Sequence, residues 1–545
     1  MLLKNLILSM FLILGLYSYS QVFQDQKEYT ESDSLRGSLR TERTNYDVLK
    51  YNLSIRVEPD QKYISGYNNI SFRVVKDLAV MQLDLFSNMQ VDSIVYDGTK
   101  LKYKRRYNAV FIAFENVLKT GDVDSLAFYF SGNPIVAKNP PWDGGFVFTK
   151  DENGKDWVSV AVQGVGASLW YPNKDHQSDK PEEAEIHVTT PNGLMNVSNG
   201  RLIKKQELDD GFTTWSWRIT YPINNYNITL NIGDYVHFSD TFRNLDLDYY
   251  VLSYNLEKAK QQFSEVQPMM ECFYEHFGEY PFVNDSYKLV DAPFLGMEHQ
   301  SAVAYGNNYK MGYGGTDASL TGIGLEWDFI IIHESAHEWF GNSITSADIA
   351  DMWIHEAFTS YAESVYIECR WGKEKALEYL KGLRSTMVSN AQPIIGDYGV
   401  NKEGSADMYY KGANMLNVIR SVVNDDEKWW ALLKHFSETF KHTITNTEEV
   451  IQFFEANTDE IITPIFKEYL YYAPLPTLQV KKEKSRIYYR WKSSEDQFEM
   501  PLDIQSKSEV KRIYPSQKWK KLKGTRKMNK VNPDLSRFYI EVEHL

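Results

Sequence analysis

Two histidines four residues apart, His333 and His337, flank Glu334 in the stretch IIIHESAHEWFGN. On a helix, residues i and i+4 share a face, so the two imidazoles would stand side by side. Glu334 lies one position on, about 100° round the helix, beside a metal rather than on it. That placement suits a general base acting on a metal-activated water. A plain surface helix with unrelated side chains is the other reading. The apolar EWDFII just before the motif disfavours it, because it buries the face that carries the histidines.

Two imidazoles leave a catalytic zinc one protein ligand short. Glu356, nineteen residues after His337, is the candidate, set among Trp353, Ile354, Ala357 and Phe358. A carboxylate in apolar surroundings is costly unless it is paired or bound to a metal. His355 projects from the helix in another direction and is not expected on the metal. One zinc per chain, on His333, His337 and Glu356, is the cofactor reading.

Taken together, HESAHEWFGN and WIHEAFTSYAE resemble the zinc aminopeptidases of the aminopeptidase N and leukotriene hydrolase family. Members typically carry His-Glu-x-x-His, a third ligand Glu after eighteen residues, and an Asn before it, where this chain has His355. The resemblance implies further residues. The family's Gly-x-Met-Glu-Asn segment corresponds to LGMEHQ, with Met297 and Glu298 kept, Gly296 at the variable position, Leu295 at the Gly and His299 at the Asn. Glu298 would grip the α-amine of a substrate, with Gly296 and Met297 lining the same place. Gln163, in VQGVGASLWYP, would contact the amine as well. A Tyr-x-Lys-Gly match at Tyr409, Lys411 and Gly412 would make Tyr409 the oxyanion donor, with Tyr410 the fallback. The implied function is a metallo-aminopeptidase acting on peptides with a free N-terminus. A catalytically silent or endopeptidase-type relative on the same scaffold is the alternative, and an epoxide-opening hydrolase is a further rival.

These residues need elements to hold them. The chain of 545 residues is too long for one core. Alternating or short apolar runs from Tyr46 onward, such as YDVLKYNLSIRVEP and ISGYNNISFRVV, read as strands of an antiparallel, sandwich-like domain over 45–245. Helical periodicity over 246–475, including 325–341, 348–371 and 407–422, predicts a mainly helical, thermolysin-like catalytic domain. Short strands after APLPT predict a small β-domain over 476–545, where many family members carry a large helical domain. The fold class is therefore α+β and multidomain.

At the N-terminus, Lys4, the apolar Leu6–Leu16 run and Ser18-Tyr19-Ser20 read as a signal peptide over 1–20, followed by a flexible polar lead-in over 21–44. That predicts export, to the bacterial periplasm or beyond, with no transmembrane segment in the mature chain. A net charge of −14 argues against a nucleic-acid partner. The tail is locally basic, with 17 Lys and Arg against 9 Asp and Glu in 481–545, which suits solvated strand faces. The only two cysteines, Cys272 and Cys369, read as buried free thiols by default, with a single bridge as the alternative.

Overall fold

A computed structural model describes residues 29–484, 486–506, 509–522 and 531–545. The signal-peptide reading of 1–20 lies outside them. Alternation gives the first long strand, Tyr46–Glu58: Tyr51, Leu53, Ile55 and Val57 turn inward and are fully buried. It lies in an eight-stranded sheet between Tyr63–Val74, antiparallel, and Glu183–Pro191, parallel. That parallel pair departs from the all-antiparallel expectation. A three-stranded sheet and a four-stranded sheet, the latter containing Asp156–Ala161, complete the β-rich region. Gln163 leaves the end of that strand.

A five-stranded mixed sheet belongs with the helices. Its order runs Tyr235–Phe242, Leu245–Leu252, Tyr287–Asp291, Val303–Tyr305 and Gly296–Met297, which places Gly296 and Met297 on an edge strand. This sheet already includes Tyr235, upstream of the expected boundary at 245.

Eleven α-helices occur among the described residues. In chain order they are α1 (Glu31–Gly37), α2 (Thr41–Thr44), α3 (Leu256–Gln262), α4 (Val266–Phe277), α5 (Phe329–Ala336), α6 (Trp353–Trp371), α7 (Lys373–Thr386), α8 (Asp407–Val423), α9 (Asp426–Thr439), α10 (Thr447–Ala456) and α11 (Thr463–Tyr471). Every residue of α6 from Trp353 to Ile367 is buried, the polar His355, Glu356, Thr359, Ser360, Glu363 and Ser364 among them, so it is the central helix. Gly372 at φ 89° ends it. None of the described helices is long and apolar enough to cross a membrane.

Two sequence expectations are corrected. The lead-in is ordered from Thr30 onward: α1 is closed by a capping box between Thr30 and Asp33, and Arg43 of α2 is buried against Asp84 at 2.5 Å. The cysteines are bridged. Cys272 of α4 and Cys369 of α6 form a disulfide with Cα atoms 6.1 Å apart, and Cys369 lies at the surface. Free buried thiols would have needed both helices turned to point Cys369 inward.

Beyond α11, strands Thr477–Glu483, Arg486–Lys492 and Glu541–His544 form one small sheet with Lys520–Lys521, and Leu502–Ser506 centres another. They seat on the helical region through polar contacts as well as a shared core. Asn417 of α8 donates to the Arg537 carbonyl at 3.2 Å, and the Tyr469 hydroxyl to the Tyr539 carbonyl at 2.6 Å.

Candidate metal centre and substrate site

Helix α5 begins at Asp328, whose carboxylate accepts from the Ile330 amide at 3.0 Å and the Ile331 amide at 3.4 Å. Asp328 is itself held by the Tyr305 hydroxyl and Asn307 amide, both at 2.7 Å. The helix is shorter than the periodicity predicts and ends at Ala336, because its C-terminal turn tightens around Gly341. His337 is the C-cap residue with helical φ −60° and ψ −20°, so the i, i+4 relation to His333 survives. Their rings are 5.1 Å apart and nearly perpendicular.

Glu356, one turn into α6, completes a triangle. Its Oε2 lies 3.8 Å from His333 Nε2 and 3.4 Å from His337 Nε2. Ligand atoms about 2 Å from one tetrahedral zinc sit roughly 3.3 Å apart, so these separations suit a shared ion. Both other ring nitrogens are already engaged. His333 Nδ1 meets Glu363 Oε1 at 2.7 Å, and His337 Nδ1 meets the Phe340 carbonyl at 2.9 Å. Each ring therefore turns Nε2 toward Glu356, the usual support of a metal-binding imidazole.

The electrostatics point the same way. Glu356 Oε2 is buried and has no hydrogen-bond donor of good geometry. Burial, with His337 adding, lowers His333 to about 3, leaving it neutral as a ligand must be. Burial also works against charge on His337, but Glu356 overrides it and, with Glu298 and Glu334, raises it to about 10. A cation is what this pocket of carboxylates demands, and two neutral-capable imidazoles with one carboxylate are a zinc donor set. The residues fit the metal.

Glu334 lies against the backbone of the edge strand. A Cβ on Gly296 would come within 2.8 Å of Glu334 Oε1 and of Ile330, so only glycine leaves the carboxylate its place. Burial, then the Glu298 carboxylate, holds Glu334 well above the usual carboxylate range. Donor atoms of Glu298, Glu334 and His337 all lie within 4.8 Å of one another. Gln163 reaches across from the β-rich region: its Nε2 donates to Glu298 Oε1 at 2.5 Å and to Glu356 Oε1 at 3.3 Å. Met297 packs with Ala161, Ala292, Phe294 and Ala304, so its side chain serves the wall from behind.

Tyr409 opens α8, its ring 6.3 Å from that of His333. Burial raises its hydroxyl, and the next contributions come from Glu356, Glu403, Glu298 and Glu334, which places it toward the site. For Tyr410 the charge named after burial is Glu363, behind His333, so Tyr409 is the tyrosine that faces the cluster. Lys411 donates to the carbonyls of Tyr472 at 3.0 Å and Ala473 at 2.9 Å, tying α8 to the end of the helical region. A Cβ on Gly412 would lie 2.5 Å from Ala357 Cβ, so glycine allows α8 to touch α6 beside Glu356. His355 accepts from the Ser346 amide through Nε2 at 2.9 Å. His299 is fully buried, and neither ring nitrogen has a protein partner.

Three contributors were not foreseen. Glu363 follows Glu356 by seven residues on the same face of α6, a spacing that was legible in WIHEAFTSYAES. Asn342 donates to the Glu298 carbonyl at 2.8 Å, locking the turn after His337 to the strand end that carries Glu298. Tyr226, fully buried in the β-rich region, was not signalled by any local pattern.

Residues 254–469 match the model for the peptidase family M1 domain. Probable aminopeptidase 1 of Saccharolobus solfataricus is 23% identical over 353 residues, which cover 62% of this chain and 43% of that one. Aminopeptidase B of Mus musculus is 28% identical over 318 residues, covering 55% and 46%. The match thus spans under half the length of these relatives. A crystal structure of the M1 zinc metallopeptidase from Deinococcus radiodurans superposes with a TM-score of 0.67 at 19% identity, covering 79% of this chain and 95% of that one. His333, His337 and Glu356 all fall within the matched segment, and two histidines with a glutamate are a donor set suited to one zinc. The chain thus contains a peptidase family M1 domain over 254–469, and the cofactor this indicates is zinc.

Proposed function

We propose that the protein is a zinc aminopeptidase that removes N-terminal residues from peptides. The observation that carries this is the bridge from Gln163 to Glu298 and Glu356. The Glu298 carboxylate thereby shares a hydrogen-bond donor with Glu356, which supports the reading that Glu298 takes the substrate's amine beside the metal.

Zinc on His333, His337 and Glu356 would polarise the scissile carbonyl and acidify a water toward neutral pH. Glu334 takes that water's proton on its carboxylate and delivers it to the nitrogen of the leaving amine. The Tyr409 hydroxyl donates a hydrogen bond to the oxyanion as the carbonyl becomes tetrahedral. Glu298 and Gln163 receive the substrate's α-ammonium, a charge-assisted contact that an internal peptide segment cannot make. This fixes cleavage one residue in. Leu295 and His299, the two departures within LGMEHQ, alter the surroundings of Glu298 and keep the carboxylate itself.

The signal-peptide pattern and the Cys272–Cys369 bridge both support export to an oxidising compartment. The functional test offers one peptide, free and N-acetylated, with and without a zinc chelator, and reads products by mass. Stepwise loss from the free form alone, stopped by chelator, is expected. Internal cleavage of both forms would instead make this an endopeptidase, and no cleavage would make it a silent relative.

A further inference from the structure

Helix α1 is wedged between the β-rich and helical regions. Gln82 donates to the Leu35 carbonyl at 3.0 Å, His176 Nε2 meets the Gly37 carbonyl at 3.1 Å, and Arg106 pairs with Glu31, all from the β-rich side. On the catalytic side the Tyr29 hydroxyl bonds Asp397. A Cβ on Gly37 would fall 2.2 Å from the Asn401 nitrogen and 2.4 Å from that of Val400, so the helix end rests on that loop backbone.

We propose that α1 is a working part of the substrate site, and that Arg36 is a positioning residue for the amine-binding Gln163. The proposal rests on the aminopeptidase reading above. Arg36 Nη2 donates to the Gly164 carbonyl at 3.0 Å, and Asn401 Nδ2 donates to the same oxygen at 3.3 Å. One carbonyl thus joins α1, the catalytic loop and the residue next to Gln163. The turn needs such pins, because Gly164 at φ +71° and Gly166 at φ +98° can adopt many other conformations.

Arg36 is built in rather than resting there. Its guanidinium lies 5.9 Å from the centre of the Phe86 ring. A Cβ on Gly166 would sit 2.3 Å from both Arg36 Nη2 and Asp175 Oδ2, so the turn is shaped around that pair. Behind the turn lies a polar cavity of about 40 Å³ lined by Arg36, Asp175, Asn224, Tyr226 and Asn401. Arg36 Nε has no protein partner there, and the space holds a few waters at most. The turn closes on itself through the Gly166 and Val165 amides, which donate to the Val162 and Gln163 carbonyls at 2.7 Å, and Arg36 and Asn401 supply the side-chain bonds that tie it to α1 and to the loop before α8.

The test compares Arg36→Ala, Asn401→Ala, Gln163→Ala and the Arg36→Ala/Gln163→Ala pair in the full chain, on a short free-amine peptide, with zinc content measured. Loss of a hydrogen-bonded contact to a charged group predicts a KM raised about tenfold for Arg36→Ala, with kcat changed less than about threefold and zinc unchanged. Because both residues act through one carboxamide, the pair is expected to be no worse than Gln163→Ala alone. A wild-type KM in Arg36→Ala, or effects that multiply in the pair, overturns the proposal, since a merely structural role gives no coupling. If Arg36→Ala does not fold, Asn401→Ala, which pins the same carbonyl from the other side, is read by the same criteria against Gln163→Ala. Absence of amine-dependent cleavage in the wild type sinks the aminopeptidase reading and this proposal together, whereas an unaffected Arg36→Ala sinks only this one.

Discussion

Glu363 Oε1 lies 2.7 Å from His333 Nδ1, and its other oxygen accepts from the Tyr379 hydroxyl at 2.8 Å. The metal-facing orientation of His333 is therefore set by a residue two turns beyond Glu356 on α6. Glu363→Ala should weaken zinc binding roughly 10- to 100-fold, the usual cost of losing such a partner. Competition against a chelator of known affinity measures this; unchanged affinity would mean that packing against Phe329 orients the ring instead.

In the proposed reaction Glu334 moves a proton and makes no metal bond. Glu334→Ala should lower kcat by on the order of 10²- to 10⁴-fold while one zinc per chain is retained. Metal analysis beside steady-state kinetics decides it, and near-normal turnover would remove Glu334 from the reaction.

The contact between Gly412 and Ala357 gives a prediction in which no ligand is altered. A methyl at 412 forces α8 and α6 apart, costing about 1–3 kcal/mol of stability by overpacking. Since Tyr409 rides on one helix and Glu356 on the other, Gly412→Ala should lower both the Tm and kcat. A variant with wild-type thermal unfolding would show that the helices tolerate the shift.

Stability should also carry a pH signature from Glu265. Burial raises its carboxyl from 4.5 to about 7, against the hydrogen bond it accepts from the Asp328 amide at 2.9 Å. A raised folded value means its contribution is fully present below the unfolded value near 4.5 and is lost as pH rises through about 7. Glu265→Gln keeps a carbonyl acceptor for the Asp328 amide, offers an amide donor where Glu265 accepts from the Tyr366 hydroxyl at 3.0 Å, and does not titrate. Its Tm relative to the parent should rise between pH 4.5 and 7; a constant difference across that range would place the titration elsewhere.

The metal ligands could be read because their chemistry is local. His333 and His337 share one turn, and Glu356 sits in an apolar run that makes a bare carboxylate conspicuous. The same holds for α6 and α8, whose periodicity spans many turns. The order of residues 30–44 was not legible, because the segment is polar and its anchors, Asp84, Gln82 and Asp397, lie far along the chain. Nor could the cysteine pairing be read, since two thiols 97 residues apart give no sign of which helix faces meet. Glu363 was in view, yet its role depends on which nitrogen of His333 faces inward, and only the packed geometry sets that.

The bridge between Cys272 and Cys369 encircles Glu298, His333, Glu334, His337, Glu356 and Glu363 in a single covalent loop, while Gln163, Tyr226 and Tyr409 lie outside it. For a loop of about 100 residues, closure removes about 4.7 kcal/mol of denatured-state freedom in the chain-entropy account. An oxidised chain that unfolds thus keeps its zinc donors at high effective concentration and meets the metal again as a gathered set. A reduced chain has to reassemble them from an open coil, so oxidation of this one pair gives the metallated enzyme a shorter way back to its folded form.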